Sequence, residues 1–263
     1  MNGYRVVAAD IDGTLLRDDK SLSLAVREAL DGARRRGIIV VVATGRPAFG
    51  ALPVAKGLGA DFLISYGGGR VENLSTGELV SELMLSPTLA GELYEIASQA
   101  GLAIETFRGD MALTESADNP YIRRQARINR LSVRRVDSFV EAACLPMPKC
   151  MIVGVPEKVE IVERDVLKVF EGRLNVCRSE PFFLELTAPG ADKGSALARL
   201  AEHEGWSLDE VVALGDGYND IPMIQRAGLG CAMGNASDVV KASADLVLKS
   251  NEEDGAAVLI NQL

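Results

Sequence analysis

The sequence predicts an α/β fold in which a parallel sheet covered by helices is interrupted by an inserted α+β domain. Three observations carry that prediction. Short β-branched runs alternate with helical apolar periodicity toward both ends of the 263-residue chain. Three of these runs end on polar or acidic clusters: Asp10 with Asp12, Thr44-Gly45-Arg46, and Gly215-Asp216 leading to Asn219-Asp220. Between residues 83 and 188 the pattern changes to hairpins and separate helices. Strands apolar at every position are those buried on both faces, and helical crossovers between them place the strand C-termini along one edge of a parallel sheet.

Taken in order, residues 5–9 read as the first strand and residues 23–36 as a helix stopped by Gly37. Residues 38–43 return as a second strand, which completes a βαβ unit. Residues 62–66 form a third strand, and residues 71–83 a hairpin around Ser75-Thr76-Gly77. Ser86-Pro87 caps a helix that Gly101 stops. Strands at 103–107, 151–155, 174–177 and 182–186, with a helix at 157–171, fill the insert. A strand at 211–214, a helix and the run 230–233 return to the first sheet. The expected domains are residues 1–82 with 189–263 as the core and 83–188 as the insert.

Nearly half the residues are apolar and a quarter are charged, a mixture that can bury a core. The net charge of -9 repels a polyanion, so no nucleic-acid partner is expected. The four cysteines show no CxxC spacing, and a chain of this length needs no disulfide staples, which favours a reducing compartment. The N-terminus lacks the pattern of a signal peptide, and the longest apolar run, residues 38–43, is far too short to span a bilayer. The expectation is a cytoplasmic protein with no membrane and no obligate protein partner.

The clustered carboxylates define the chemistry. An aspartate after a strand commonly starts a turn or caps a helix. Several gathered at one sheet edge repel one another and call for a cation. The candidate ligands are all oxygens, which suit Mg²⁺ or Ca²⁺ rather than zinc. A calcium loop starting at Asp10 fails, with Thr14 fifth, Leu15 sixth and Ser21 twelfth; one starting at Asp216 fails at Tyr218 and Ile221. Mg²⁺, which keeps waters and meets phosphate, fits better. His203, the single histidine, sits late in a helix beginning near Asp192, where the helix dipole alone favours it. The nucleophile is therefore sought among the carboxylates, which form acyl phosphates.

Asp10-Ile11-Asp12-Gly13-Thr14, Thr44 after its strand, Lys193 in "GADKG" and Gly215-Asp216-Gly217-Tyr218-Asn219-Asp220 resemble the four ordered motifs of the haloacid dehalogenase (HAD) superfamily. "LELTAPGADKG", "AMGNA" and "SNEEDG" are similar to its Cof-type phosphatases with a type IIB cap. The resemblance implies a Rossmann-like parallel-sheet core with an inserted α+β cap that selects the substrate. It implies a phosphoric monoester hydrolase that uses Mg²⁺ on a small phosphorylated metabolite, a sugar phosphate or related compound, through an aspartyl-phosphate. Asp10 is then the nucleophile and Asp12 the general acid and base, with its proton held above the free-aspartate value.

The same resemblance makes Asp10, Asp216 and the backbone carbonyl of Asp12 the metal ligands, with Asp220 in support. Thr44, Gly45, Arg46, Lys193 and Asn219 form the phosphate and substrate set, Lys193 neutralising charge that grows in transfer. Gly13 permits the sharp turn that brings both aspartates to one cavity. A phosphomutase or phosphotransferase would use the same aspartates, and a receiver-like phosphoacceptor module also combines acids, a threonine and a lysine. Asp12, placed to promote dephosphorylation, speaks against the latter. Where Cof-type members carry asparagine after the third strand's aromatic residue, this chain has Gly67. The run Arg123, Arg124, Arg127, Arg130, Arg134 and Arg135 reads as a solvated face in preference to a substrate-contacting cap surface.

Overall fold

The computed structural model describes residues 3–263. The first segment runs β1 (Val6–Ala9), α1 (Leu24–Arg35), β2 (Ile39–Ala43), α2 (Ala48–Gly57), β3 (Phe62–Ser65), β4 (Arg70–Asn73) and β5 (Leu79–Glu82). There follow α3 (Pro87–Gln99), β6 (Ala103–Arg108), β7 (Met111–Thr114), α4 (Pro120–Asn129), β8 (Ser132–Arg135), α5 (Phe139–Ala142), β9 (Cys150–Val153), α6 (Pro156–Val169), β10 (Asn175–Glu180) and β11 (Phe183–Thr187). The chain closes with α7 (Lys193–Glu204), β12 (Val211–Gly215), α8 (Ile221–Ile224), β13 (Leu229–Ala232), α9 (Asp238–Ala242), β14 (Leu246–Val247) and α10 (Gly255–Ile260).

These elements pack as two units. One comprises Met1–Gly45, Leu52–Ser81 and Asp192–Leu263; the other comprises Arg46–Ala51 and Glu82–Ala191. The first is built on an eight-stranded sheet in the order β14-β13-β12-β1-β2-β3-β4-β5, parallel from β14 through β3. This is the α/β arrangement that the sequence predicts. Every residue of β1 is buried because helices cover both faces of the sheet. Val6, Ala8, Val41, Ala43 and Ile64 pack on one side with Ala196, Leu197 and Leu200 of α7. Ser23 caps α1 by accepting a hydrogen bond from the Val26 amide at 3.1 Å, and Val26, Ala29, Leu30 and Ala33 form its buried stripe.

The second unit holds a six-stranded sheet in the order β10-β11-β9-β6-β7-β8, antiparallel except for the β7–β8 pair. One face carries Ile104, Cys150, Ile152, Leu184 and Leu186, which form a core with Leu93 and Ala97 of α3 and Val159, Val162 and Val166 of α6. The six arginines between 123 and 135 are all exposed. Arg123 and Arg135 both pair with Asp118, and Arg124 lies over the Phe182 ring and pairs with Glu180 at 3.5 Å.

Candidate active site

The site grows out of the sheet register. Ala9 is level with Leu214 of β12 and with Val42 of β2, so Asp10, Thr44 and Asp216 leave their strands at one edge. The Asp10 amide continues the ladder by donating to the Leu214 carbonyl at 3.0 Å. Beyond it the chain folds back sharply, the Leu16 amide donating to the Ile11 carbonyl at 2.9 Å. Gly13 makes that turn with φ +85°, and a Cβ there would stand 2.4 Å from Asp216 Oδ2. Only glycine meets both conditions, the left-handed backbone and the close approach.

Lys193 arrives from the N-terminus of α7. Asp192 caps that helix by accepting from the Ser195 amide at 2.8 Å. Gly68, at φ +112°, presses against the Asp192 backbone, where a Cβ would lie 2.3 Å from the carbonyl oxygen. This fixes where α7 starts and so where the lysine points. The fully buried Lys193 ammonium donates to Asp10 Oδ1 and Asp220 Oδ1, both at 2.5 Å. Asp220 Oδ2 accepts from the Asp216 and Gly217 amides at 3.0 and 2.9 Å, so both of its oxygens are engaged by the protein. Thr14 Oγ1 donates to Asp216 Oδ1 at 2.9 Å.

The electrostatics are those of crowded, desolvated carboxyls. Burial holds Asp10 well above the usual carboxylate range, Lys193 offsetting this in part while Asp220, Asp216 and Asp12 add to it. Burial and then Asp220 push Asp216 up to about 7, against the Thr14 hydrogen bond. Lys193 is raised despite its burial because Asp10 and Asp220 stabilise its charge. Among the described residues, Asp10, Asp216 and Asp220 are the one acidic group placed to hold a metal, with ligand oxygens within 4.8 Å of one another. An all-oxygen set whose charges are suppressed by burial and then by mutual repulsion fits a hard divalent cation. Since Asp220 is engaged by Lys193 and two amides, Asp10 and Asp216 carry the coordination capacity that remains.

The other expected residues divide. Thr44 is buried at the end of β2, its amide donating to Ile64 O at 2.8 Å and its carbonyl accepting from the Gly67 amide at 2.9 Å. Gly45 follows it in the same unit, whereas the buried Arg46 packs with the second unit. Half-buried Asn219 lies in the turn after β12, its Oδ1 close to Gly217. Asp12 faces Lys20, with Nζ to Oδ1 at 2.9 Å. His203 is partly exposed on α7, 3.4 Å from Glu78, as its position suggests.

Several supports escaped the motif reading. Asn235 Nδ2 donates to the Gly13 carbonyl at 2.9 Å and lies 3.5 Å from Asp216 Oδ2. Asn251 donates its amide to Asn235 Oδ1 at 3.0 Å and its side chain to Leu16 O and Asp18 Oδ1 at 3.1 Å. These two asparagines stand inside "AMGNA" and "SNEEDG", so the signal was present without its role. Lys20, held at φ 67°, had no such signal.

The haloacid dehalogenase-like hydrolase family matches residues 7–260. A solved haloacid dehalogenase-like hydrolase from Bacteroides thetaiotaomicron is 40% identical, with a TM-score of 0.90 over 98% of this chain and 99% of its own. The 5-amino-6-(5-phospho-D-ribitylamino)uracil phosphatase of Bacillus subtilis is 30% identical over 97% of this chain and 94% of its own. A solved HAD subclass IIB sugar phosphatase, 24% identical, shares the fold with a TM-score of 0.83 over 98% of each chain. The chain belongs to the haloacid dehalogenase-like hydrolases, and within them it is a phosphatase of the Cof type.

Proposed function

We propose that the protein is a Mg²⁺-dependent phosphatase that hydrolyses a small phosphorylated metabolite, a sugar phosphate or related phosphomonoester, through an aspartyl-phosphate on Asp10. The observation that carries this reading is the buried ammonium of Lys193, 2.5 Å from both Asp10 and Asp220, beside Asp216. One Asp10 oxygen is held by Lys193, which leaves the other for bonding to phosphorus. In the first step that oxygen attacks phosphorus and the ester P–O bond breaks, while Asp12 gives its proton to the departing alkoxide. In the second, water attacks the aspartyl-phosphate, Asp12 takes the water's proton, and inorganic phosphate leaves.

Asp10, Asp216 and the Asp12 carbonyl would hold Mg²⁺, which supplies positive charge to the phosphoryl oxygens and keeps Asp10 ionised. Thr44, Gly45 and Asn219 donate hydrogen bonds to phosphoryl oxygens, Lys193 balances the charge of the transferring group, and Arg46 engages substrate. Residues 83–188 serve as the cap that selects the leaving group. The Bacillus subtilis relative, whose name gives it a phosphorylated ribityl compound as substrate, supports this substrate size. Among the described residues no helix is long and apolar enough to cross a membrane, in keeping with action on a dissolved metabolite in the cytoplasm.

The test is phosphate release from a panel of phosphorylated metabolites with Mg²⁺, alongside Asp10→Asn and a chelator. Turnover is expected to vanish in the variant and to be lost reversibly on chelation. Full activity after either overturns the mechanism, and transfer to a second sugar hydroxyl without free phosphate would make the enzyme a mutase.

A further inference from the structure

Asp12 stands directly before the Gly13 turn, and a contact to its side chain comes from the loop that follows. Lys20 Nζ lies 2.9 Å from Asp12 Oδ1. Both groups are partly open to solvent, the lysine side chain 43% and the aspartate 31%. An ion pair so exposed adds little to stability, because water and salt screen it.

The backbone is nevertheless strained to make it. Lys20 has φ 67°, in the left-handed region where a residue with a long side chain is disfavoured and glycine or asparagine is the usual occupant. Residues 17–21 close on themselves: the Arg17 amide donates to Ser21 O at 3.0 Å, the Lys20 amide to Arg17 O at 2.9 Å, and the Ser21 amide to Asp19 Oδ1 at 2.8 Å.

The loop before α10 then clamps this turn from outside. Buried Asn251 donates through Nδ2 to Leu16 O and Asp18 Oδ1, both at 3.1 Å. The Asp18 amide donates to Glu252 Oε1 at 2.9 Å, and Arg17 pairs with Asp254 at 3.3 Å. A strained residue survives only where its surroundings over-determine it, and such residues gather at functional groups. All of these contacts lie within the unit that carries Asp10, Asp216 and Lys193.

The acceptor identifies the use. A carboxyl passes a proton through one oxygen at a time, and rotation of the group exchanges the two. The Lys20 ammonium can donate to Oδ1 in either protonation state of Asp12, since carbonyl and carboxylate oxygens both accept.

We propose that Lys20 is a positioning residue for Asp12, holding Oδ1 so that Oδ2 is presented first to the leaving group and then to water. Oδ2 gives its proton to the departing oxygen as the ester P–O bond breaks and that bond's electron pair stays on the oxygen; in the second step Oδ2 takes a proton back from the attacking water. The inference rests on the phosphatase reading above and adds to it the residue that orients its acid and base.

The test measures kcat/KM, which covers the steps up to departure of the alcohol, for a hexose phosphate and for p-nitrophenyl phosphate, whose phenolate leaves without needing a proton. Wild type, Lys20→Met and Lys20→Gly are compared, with Asp10→Asn as control. In both lysine variants the hexose phosphate value is expected to fall about ten- to a hundredfold, and the p-nitrophenyl phosphate value far less. Lys20→Gly keeps the left-handed turn, so a thermal melt matching wild type together with the same loss assigns the effect to the ammonium and not to the shape of the loop. Equal losses on both substrates, or full hexose phosphate activity in either folded variant, overturn the positioning role and leave the phosphatase reading standing. Phosphate release that survives Asp10→Asn removes the phosphatase mechanism itself, and the role of Lys20 with it.

Discussion

Replacing Lys193 by methionine isolates the electrostatic logic of the site. The side chains are similar in length, but the variant leaves Asp10, Asp220 and Asp216 together with no ammonium. In the native protein that ammonium is fully buried and 2.5 Å from two carboxylates. Removing one member of a buried, hydrogen-bonded ionic group costs about 3–5 kcal/mol. For a chain of this size that lowers the melting temperature by roughly 6–20 °C.

The penalty has a definite pH dependence. Without Lys193 the folded-state pKa of Asp10, already raised by burial, rises further above its unfolded value. The folded state then binds more protons than the unfolded state, so stability falls as pH rises. Calorimetry of wild type and Lys193→Met in chelator, at acidic and mildly alkaline pH, reads the effect directly. The gap is expected to widen at the higher pH, and Mg²⁺ at a hundred times its dissociation constant returns about 2.7 kcal/mol. A variant melting with wild type at both pH values, with or without Mg²⁺, would refute the charge-crowding argument.

Three further perturbations follow from particular contacts. Gly13→Ala forces a side chain into the left-handed region and into Asp216, so about 1–3 kcal/mol of stability and most of the phosphate-release activity should be lost; denaturant titration and phosphate assay check both. Glu105, ordinarily at 4.5 and here raised to about 8, makes the native state the more protonated across that interval. Its contribution to stability is therefore fully present below 4.5 and lost by about 8, at most roughly 5 kcal/mol in all. Melts of Glu105→Gln should lack that component and gain on wild type as pH rises. Asn251→Ala removes the donor to Leu16 and Asp18 and should cost about 1–3 kcal/mol in urea unfolding.

What could be read from the sequence was what depends on local pattern. Continuous apolar strands such as residues 39–43, with glycine stops and serine caps, specify a buried parallel sheet without tertiary knowledge. The convergence of Asp10, Thr44 and Asp216 followed from strand polarity alone. The insert was less legible. β8 reads Ser-Val-Arg-Arg, with no apolar run to mark it, and exists because β7 lies beside it in parallel register. α4 buries only part of a largely polar surface, although Asn119 and Pro120 do carry a helix-start signal. The Lys20–Asp12 and Asn235–Gly13 contacts join residues by loop geometry, which spacing does not encode.

In the proposed mechanism Asp10 forms the bond to phosphorus. Acid quenching during turnover of a hexose phosphate with Mg²⁺, followed by mass spectrometry of the peptide spanning Asp10, tests it most directly. One added phosphoryl group on Asp10 is expected to appear during turnover and to disappear once substrate is exhausted. Sustained phosphate release with Asp10 unmodified at every quench time, or with the phosphoryl group on another residue, would contradict it.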